Sequence, residues 1–396
     1  MDTAKRTNKQ RPYLYEVDLM RIIFISGVLL NHVTTAFSNA MPASISKTVL
    51  QATHLSLHFT RMGFMFMTGL VLFLNYYDKE NSWLAFWKKR YSSVGFSYIA
   101  WNILLLLFTE GVAGTLFSKG NFFNELVDAL IHGNHFYLYY VYVTFQLYLL
   151  FPLLVKLFKR FPKEHNIILL ISFMLQLSLL FLIKYELPVV DTSNWWFFFR
   201  SYGMNFFVYQ IYFTMGAYTA IHYQQVTSRI KKYQKWIGSL AVLLAIGTVG
   251  LYYFNRDILK LSAAKTMSIH QPYMLFYAIS MVAAVFLIGL HYAKVRNKMA
   301  KQVTAKINLI AKVSFGLYLA QTIPLTILKM ILSRLTFLPA WGFILLLPIG
   351  YLFVWLISFG IAYFCYKVPP FGRLIGRPQK HRYLVKEVFV HDKVNQ

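Results

Sequence analysis

The sequence predicts an all-α fold: a polytopic bundle of about ten transmembrane helices, with the N-terminus and the C-terminus both cytoplasmic. Three observations predict it. The chain is 57% hydrophobic and only 14% charged, against about 25% charged residues in soluble domains. Apolar runs of about 20 residues, the length that crosses a bilayer, recur throughout its 396 residues. Lys and Arg gather in every second connection between those runs, as the positive-inside rule requires of cytoplasmic loops.

The spans are expected at residues 20–38, 55–77, 94–112, 136–158, 166–184, 196–222, 236–254, 272–292, 308–332 and 340–366. The first is long enough to span and lacks a small-residue cleavage site, so it reads as a retained signal anchor. Clusters such as Lys88, Lys89 and Arg90, or Arg229, Lys231 and Lys232, mark the cytoplasmic connections. The odd-numbered connections hold far fewer cations, for example Lys47, Lys119 and Lys184. No linker, repeat or low-complexity tract divides the spans. The expected organisation is a cytoplasmic tail (1–13), one transmembrane domain (14–375) and a basic cytoplasmic tail (376–396) suited to anionic headgroups. The outer stretch Thr109–His135 is apolar enough to dip back as a short helix. The formal net charge of +26 would suggest nucleic acid in a soluble protein. Its confinement to short clusters between apolar runs excludes that partner. The one cysteine, Cys365, excludes an intramolecular disulfide.

Ionisable residues at membrane depth are costly and face the bundle interior, so they mark candidate sites. The first span holds Asp18, Arg21 and His32. Arg21 and His32 are eleven positions apart, so they return to nearly the same helix face, about 16 Å apart along the axis. Asp18 lies three residues before Arg21 and can pair with it. A snorkelling Arg and a hydrogen-bonded core His are the bland alternative, which suits Arg21 better than His32. His54, His58 and Arg61 follow at spacings of four and three and are expected on one face of the second span. Two His at that spacing can bind a metal, but no third ligand is near, so no metal site is assigned. Arg200 and Lys312 are further cations at membrane depth. Tyr137, Tyr139, Tyr140 and Tyr142 read as interface belt and bundle packing.

Arg21, ten residues, then His32 resembles the signature of the acyltransferase-3 family of membrane O-acyltransferases. The preceding YEVDLMR resembles the start of that family's first helix. FMFMTGLVLF (Phe64–Phe73) resembles its Phe-rich Ser-Gly motif, with Thr68 in place of Ser and Gly69 retained. FWKKRYSSVGFSY (Phe86–Tyr98) resembles its basic start of helix 3, although Ser93 and Phe96 replace a second Arg and a Pro. SFGLYLAQ (Ser314–Gln321) resembles a late Ser-Tyr-x-x-Tyr-x-x-His pattern, with Tyr318 retained and Gln321 in place of His. Gln cannot shuttle a proton but can orient a substrate by hydrogen bonds. The resemblance covers about residues 13–375.

The resemblance implies an enzyme of the cell membrane that moves an acyl group, acetyl or similar, to a hydroxyl of an extracytoplasmic glycan. Acyl-CoA, such as acetyl-CoA, is the implied co-substrate, with no tightly bound cofactor. With about thirty residues after its last expected span, the chain resembles stand-alone members that modify exopolysaccharide. The partners it implies are the acyl donor, the glycan acceptor, membrane lipids and proteins of polysaccharide biosynthesis or export. Arg21 and Arg90 would hold the donor, and His32 would act as general base or nucleophile. Asp18 would orient Arg21. Thr68, Gly69, Arg61, Tyr318 and Gln321 would support the site. A transporter or flippase for a glycan is the main alternative, since buried cations and ten spans fit that class too. A scaffold without chemistry would leave the intramembrane charges unexplained.

Overall fold

The computed structural model describes residues 13–115, 122–133 and 135–378. The two expected tails lie outside them, apart from Tyr13 and Gly376–Pro378. The helices in order are α1 (Tyr15–Ala40), α2 (Ile45–His54), α3 (Phe59–Tyr76), α4 (Trp83–Ala113), α5 (Phe122–His132), α6 (Tyr139–Arg160), α7 (His165–Phe181), α8 (Phe197–Arg200), α9 (Gln210–Ile221), α10 (Tyr223–Lys232), α11 (Gln234–Tyr253), α12 (Ala263–Thr266), α13 (Pro272–Val295), α14 (Lys301–Ala320), α15 (Thr322–Arg334) and α16 (Ala340–Lys367). No strand occurs among the described residues. Nine helical runs there are long and apolar enough to cross a membrane.

α1 is the axis of the bundle, packing on α3, α13, α14, α15 and α16. Its lower half, with Met20 and Phe24, belongs to a core shared with α3, α6, α9 and α13. Its upper half, with Leu29, Val33 and Phe37, belongs to a second core shared with α4, α14, α15 and α16. α7, α11 and α16 lie at the periphery and leave apolar side chains such as Ile171, Leu243 and Ile349 exposed. Such a surface needs lipid as its solvent. Arg377 lies within electrostatic range of Asp18 and Arg21. The two ends of the described chain therefore meet at one end of the bundle, as an even number of crossings requires.

The crossing expected at 196–222 is not one helix. Its second part is α9, whose 12 residues reach only about 18 Å. The first part is short turns and irregular backbone. Gln210, at the start of α9, bonds Ser172 about 10 Å along α7, so α9 fills one half of the bundle depth and the irregular chain the other. Non-helical backbone survives at such depth only when protein satisfies its polar groups. Glutamines do so here. Gln146 of α6 donates to the Met204 carbonyl at 2.8 Å and accepts from the Phe206 N–H at 3.0 Å. Gln176 of α7 donates to the Val208 carbonyl at 3.0 Å. Side-chain amides thus replace the missing helical bonds, which is why an apolar-run reading saw an ordinary span.

Two further expectations change. The span at 308–332 is interrupted at Gln321, where α14 gives way to α15. The stretch before α3 holds a 3-10 turn, Leu55–His58, so His54, His58 and Arg61 do not lie on one regular α-helix, yet they stay together: the His54 and His58 ring centroids are 4.8 Å apart and Arg61 Nη2 is 3.4 Å from His58 Nδ1. The expected short helix in Thr109–His135 is α5, which receives the Tyr98 hydroxyl on the Ala129 carbonyl at 2.9 Å.

Candidate active site

Two connected cavities run along the face of α1 that carries Arg21 and His32. The wider, about 690 Å³, lies at the Arg21 end and is lined by Tyr13, Asp18, Arg21, Asn75 and the turn around His222. The narrower, about 220 Å³, is lined by Arg21, His32, Arg61, Thr68, Arg90, Tyr139, Tyr140 and Tyr318, among others. Arg21 and Val71 border both. α1 is continuous from Tyr15 to Ala40, so the offset of about 16 Å between Arg21 and His32 stands.

At the wide end, the Arg21 guanidinium lies 3.7 Å from the Asp18 carboxylate. The Tyr13 hydroxyl donates to both carboxylate oxygens at 2.9 Å. Burial, and then Asp18, pushes the Tyr13 phenol up to about 12, so it stays a donor. Asp18 is thereby fixed and in turn aims Arg21. Arg90 reaches the narrower cavity, which Arg21 also lines, from α4. Its guanidinium lies over the rings of Tyr76, Phe86 and Tyr148, 5.6 to 5.8 Å from their centroids. Its Nη2 donates to the Tyr76 hydroxyl at 3.5 Å and its buried Nε has no partner. Boxed by rings and with no carboxylate beside it among the described residues, this guanidinium keeps donors unspent.

At the far end, His32 is buried and lines the cavity. Its ring lies against that of Tyr137, centroids 4.0 Å apart. Tyr137 occupies a strained turn, since Phe136 and Tyr137 have φ of 55° and 64°, a region that bulky residues avoid. Two side chains hold the turn. The Tyr318 hydroxyl donates to the Tyr137 carbonyl, and the Thr322 hydroxyl donates to the Phe136 carbonyl at 3.0 Å. Tyr318 thus supports His32 indirectly, through backbone strain that the surrounding structure over-determines.

Arg61 lines the same cavity as His32 and lies within electrostatic range of it. It stacks over Tyr139 at 5.1 Å, and its Nη2 is 3.4 Å from His58 Nδ1. His54 bonds Thr34 at 2.7 Å and His58 bonds Asn31 at 3.2 Å. No group of His, Cys, Asp or Glu among the described residues could hold a metal. Thr68 bonds the Phe64 carbonyl at 2.8 Å and the Tyr140 hydroxyl at 2.9 Å. Gly69 sits where α3 crosses α9. A Cβ on it would come 2.2 Å from the Phe213 carbonyl oxygen, and one on the facing Gly216 would come 2.1 Å from that of Phe66. The two glycines therefore set the close approach of these helices.

The other expected site residues fall elsewhere. Gln321 is fully buried with neither amide atom partnered, and it is not among the residues lining either cavity. Lys312 is exposed. Arg200 is exposed and lines a third cavity. Tyr137, Tyr139 and Tyr140, expected as belt and packing, instead touch His32, Arg61 and Thr68. Their local aromatic pattern looks like any interface belt, so no sequence signal separates them.

A family model described as an acyltransferase domain matches residues 14–363. Neither curated proteins nor solved structures give a match. The matched segment contains nearly every span and all but one of the residues lining the two cavities, so this chain belongs to the acyltransferase-3 family and is a membrane acyltransferase.

Proposed function

We propose that the protein is an O-acyltransferase of the cell membrane. In this reading it takes an acyl group, acetyl or similar, from cytoplasmic acyl-CoA and transfers it to a hydroxyl of an extracytoplasmic cell-surface glycan. One observation carries the reading: a narrow cavity lined by Arg21, Arg90, Arg61 and His32 that meets a wider one at Arg21. The wide part has the volume of a site for a drug-sized ligand, about 300–1,000 Å³, and the narrow part falls below that range. A nucleotide in the wide part, with a thin thioester-bearing arm in the narrow part, fits that taper. Arg21 and Arg90 hold the phosphates by planar, multidentate hydrogen bonds.

At the far end the acceptor hydroxyl gives its proton to the neutral His32 imidazole as its oxygen bonds to the thioester carbonyl carbon. The negative charge that develops on the carbonyl oxygen lies beside Arg61. A donor so placed is worth about 10²–10³ in rate. The carbon–sulfur bond then breaks, and the leaving thiolate takes the proton from the imidazolium. If His32 first accepts the acyl group itself, the products are the same.

The alternative, export of a glycan, draws on the broken crossing before α9, a feature transporters place at substrate sites. Against it, that backbone is tied down by Gln146 and Gln176, and the narrow cavity is too small to pass a polymer. The test is the ester content of the surface polysaccharide at matched membrane protein levels. Intact polymer lacking its ester in His32→Ala and His32→Gln supports transfer. Loss of the polymer would indicate export, and full ester content with Gln at this position would remove His32 from the chemistry.

A further inference from the structure

A third cavity, about 330 Å³, opens where α7 ends, between the connections 187–209 and 254–271. Lys184, Arg200, Lys265 and His270 line it, with Trp195 and Tyr202. His270 lies within electrostatic range of Arg61, so this cavity is at the His32 end of the bundle.

Its charge is one-sided. None of the lining residues is acidic. Lys184 is only 8% exposed, and its ammonium lies over rings, Tyr185 at 5.4 Å and Phe254 at 5.7 Å. No carboxylate or carbonyl among the described residues accepts from its ammonium. A buried charge without a partner is costly, and an ammonium has three donors to satisfy. Of the acids near it, Asp191 accepts from the Ser193 N–H at 2.9 Å, Asp257 pairs with Arg256, and Glu186, two residues beyond Lys184, is exposed and does not line the cavity. Arg200 spends one donor on the Ser193 carbonyl at 3.2 Å. The remaining donors line a cavity that has no acid of its own.

The rim says what would carry an anion to it. Trp196, Val189, Phe199 and Ile258 are all exposed around it, and α7 and α11 beside it present the apolar surface that faces lipid. Tryptophans and cations together mark the headgroup level of a bilayer. We propose that this cavity binds the phosphate of an anionic phospholipid, with Lys184 as its buried counter-charge and the acyl chains lying along the apolar rim.

The test uses the full chain purified in a neutral detergent, with bound lipid counted by native mass spectrometry. Dioleoyl phosphatidylglycerol should bind at least about tenfold tighter than dioleoyl phosphatidylcholine, the order expected of charge-assisted bonds to a phosphate. Lys184→Gln should erase that preference, and Lys184→Arg should keep most of it. The double variant Arg200→Gln/Lys265→Gln, altered only at exposed residues, should lose about severalfold of it and serves if Lys184→Gln does not fold. Unchanged preference in either variant, or none in the wild type, overturns the proposal. Inorganic phosphate that binds as tightly as phosphatidylglycerol would overturn the lipid assignment and leave a free-phosphate site.

Discussion

The Tyr137 ring lies against the His32 imidazole, centroids 4.0 Å apart and planes inclined by 35°. The two residues are over a hundred positions apart, and the contact exists because Tyr318 and Thr322 hold the left-handed turn that carries Tyr137. Tyr137→Ala should free the imidazole and lower acyl transfer by about 10- to 100-fold, the scale of a misplaced catalytic group. Tyr137→Phe should stay near wild type, because among the described residues the hydroxyl meets only the exposed Lys329, at 3.2 Å. Initial rates of transfer at equal protein level decide it. Equal activity of the Ala and wild-type proteins would show that His32 needs no such support.

Arg90 and Arg21 reach one cavity from different helices. Arg90→Ala should raise the KM for acyl-CoA about tenfold with a smaller change in kcat, as removal of a phosphate contact does. Arg21→Lys keeps the charge and loses the planar fork, so it too should impair transfer while the protein accumulates normally. A wild-type KM in both variants would remove the donor from this cavity.

Gly69→Ala places a Cβ against the backbone carbonyl of Phe213. Backbone in the middle of α9 cannot yield as a side-chain tip would. The unfolding midpoint in detergent should fall, for a cost of about 1–3 kcal/mol or more. Gly216→Ala should behave alike, since the two glycines form one crossing. Unchanged midpoints would mean that α3 and α9 separate without penalty.

Asp128 clasps His132 at 2.6 Å and His135 at 3.0 Å, just ahead of the Tyr137 turn. Burial pushes its carboxyl up, but the hydrogen bonds from the two histidines outweigh this and hold it below the ordinary 3.8. A carboxyl lowered by folding contributes stability that is present above its ordinary pKa and lost as pH falls through the lowered value. Asp128→Asn should therefore lower the unfolding midpoint at about pH 6, and the difference should be smaller at about pH 3. Midpoints that differ equally at both values would show that the carboxylate's charge is not what matters.

Sequence alone determined the solvent, most of the spans and the stripe on α1. Hydropathy identifies lipid because an apolar surface has no other home, and a rigid helix fixes the offset between Arg21 and His32 whatever packs around it. What only the tertiary structure decided are the relations between distant residues. Arg90 joins Arg21 because α4 leans on α6. Tyr137 reaches His32 because Tyr318 and Thr322 hold an unfavourable turn. The crossing before α9 is broken because Gln146 and Gln176 stand in for its missing backbone bonds. Each of these depends on partners far away in the chain, whereas hydropathy and helical periodicity report only the solvent and the neighbours one turn away.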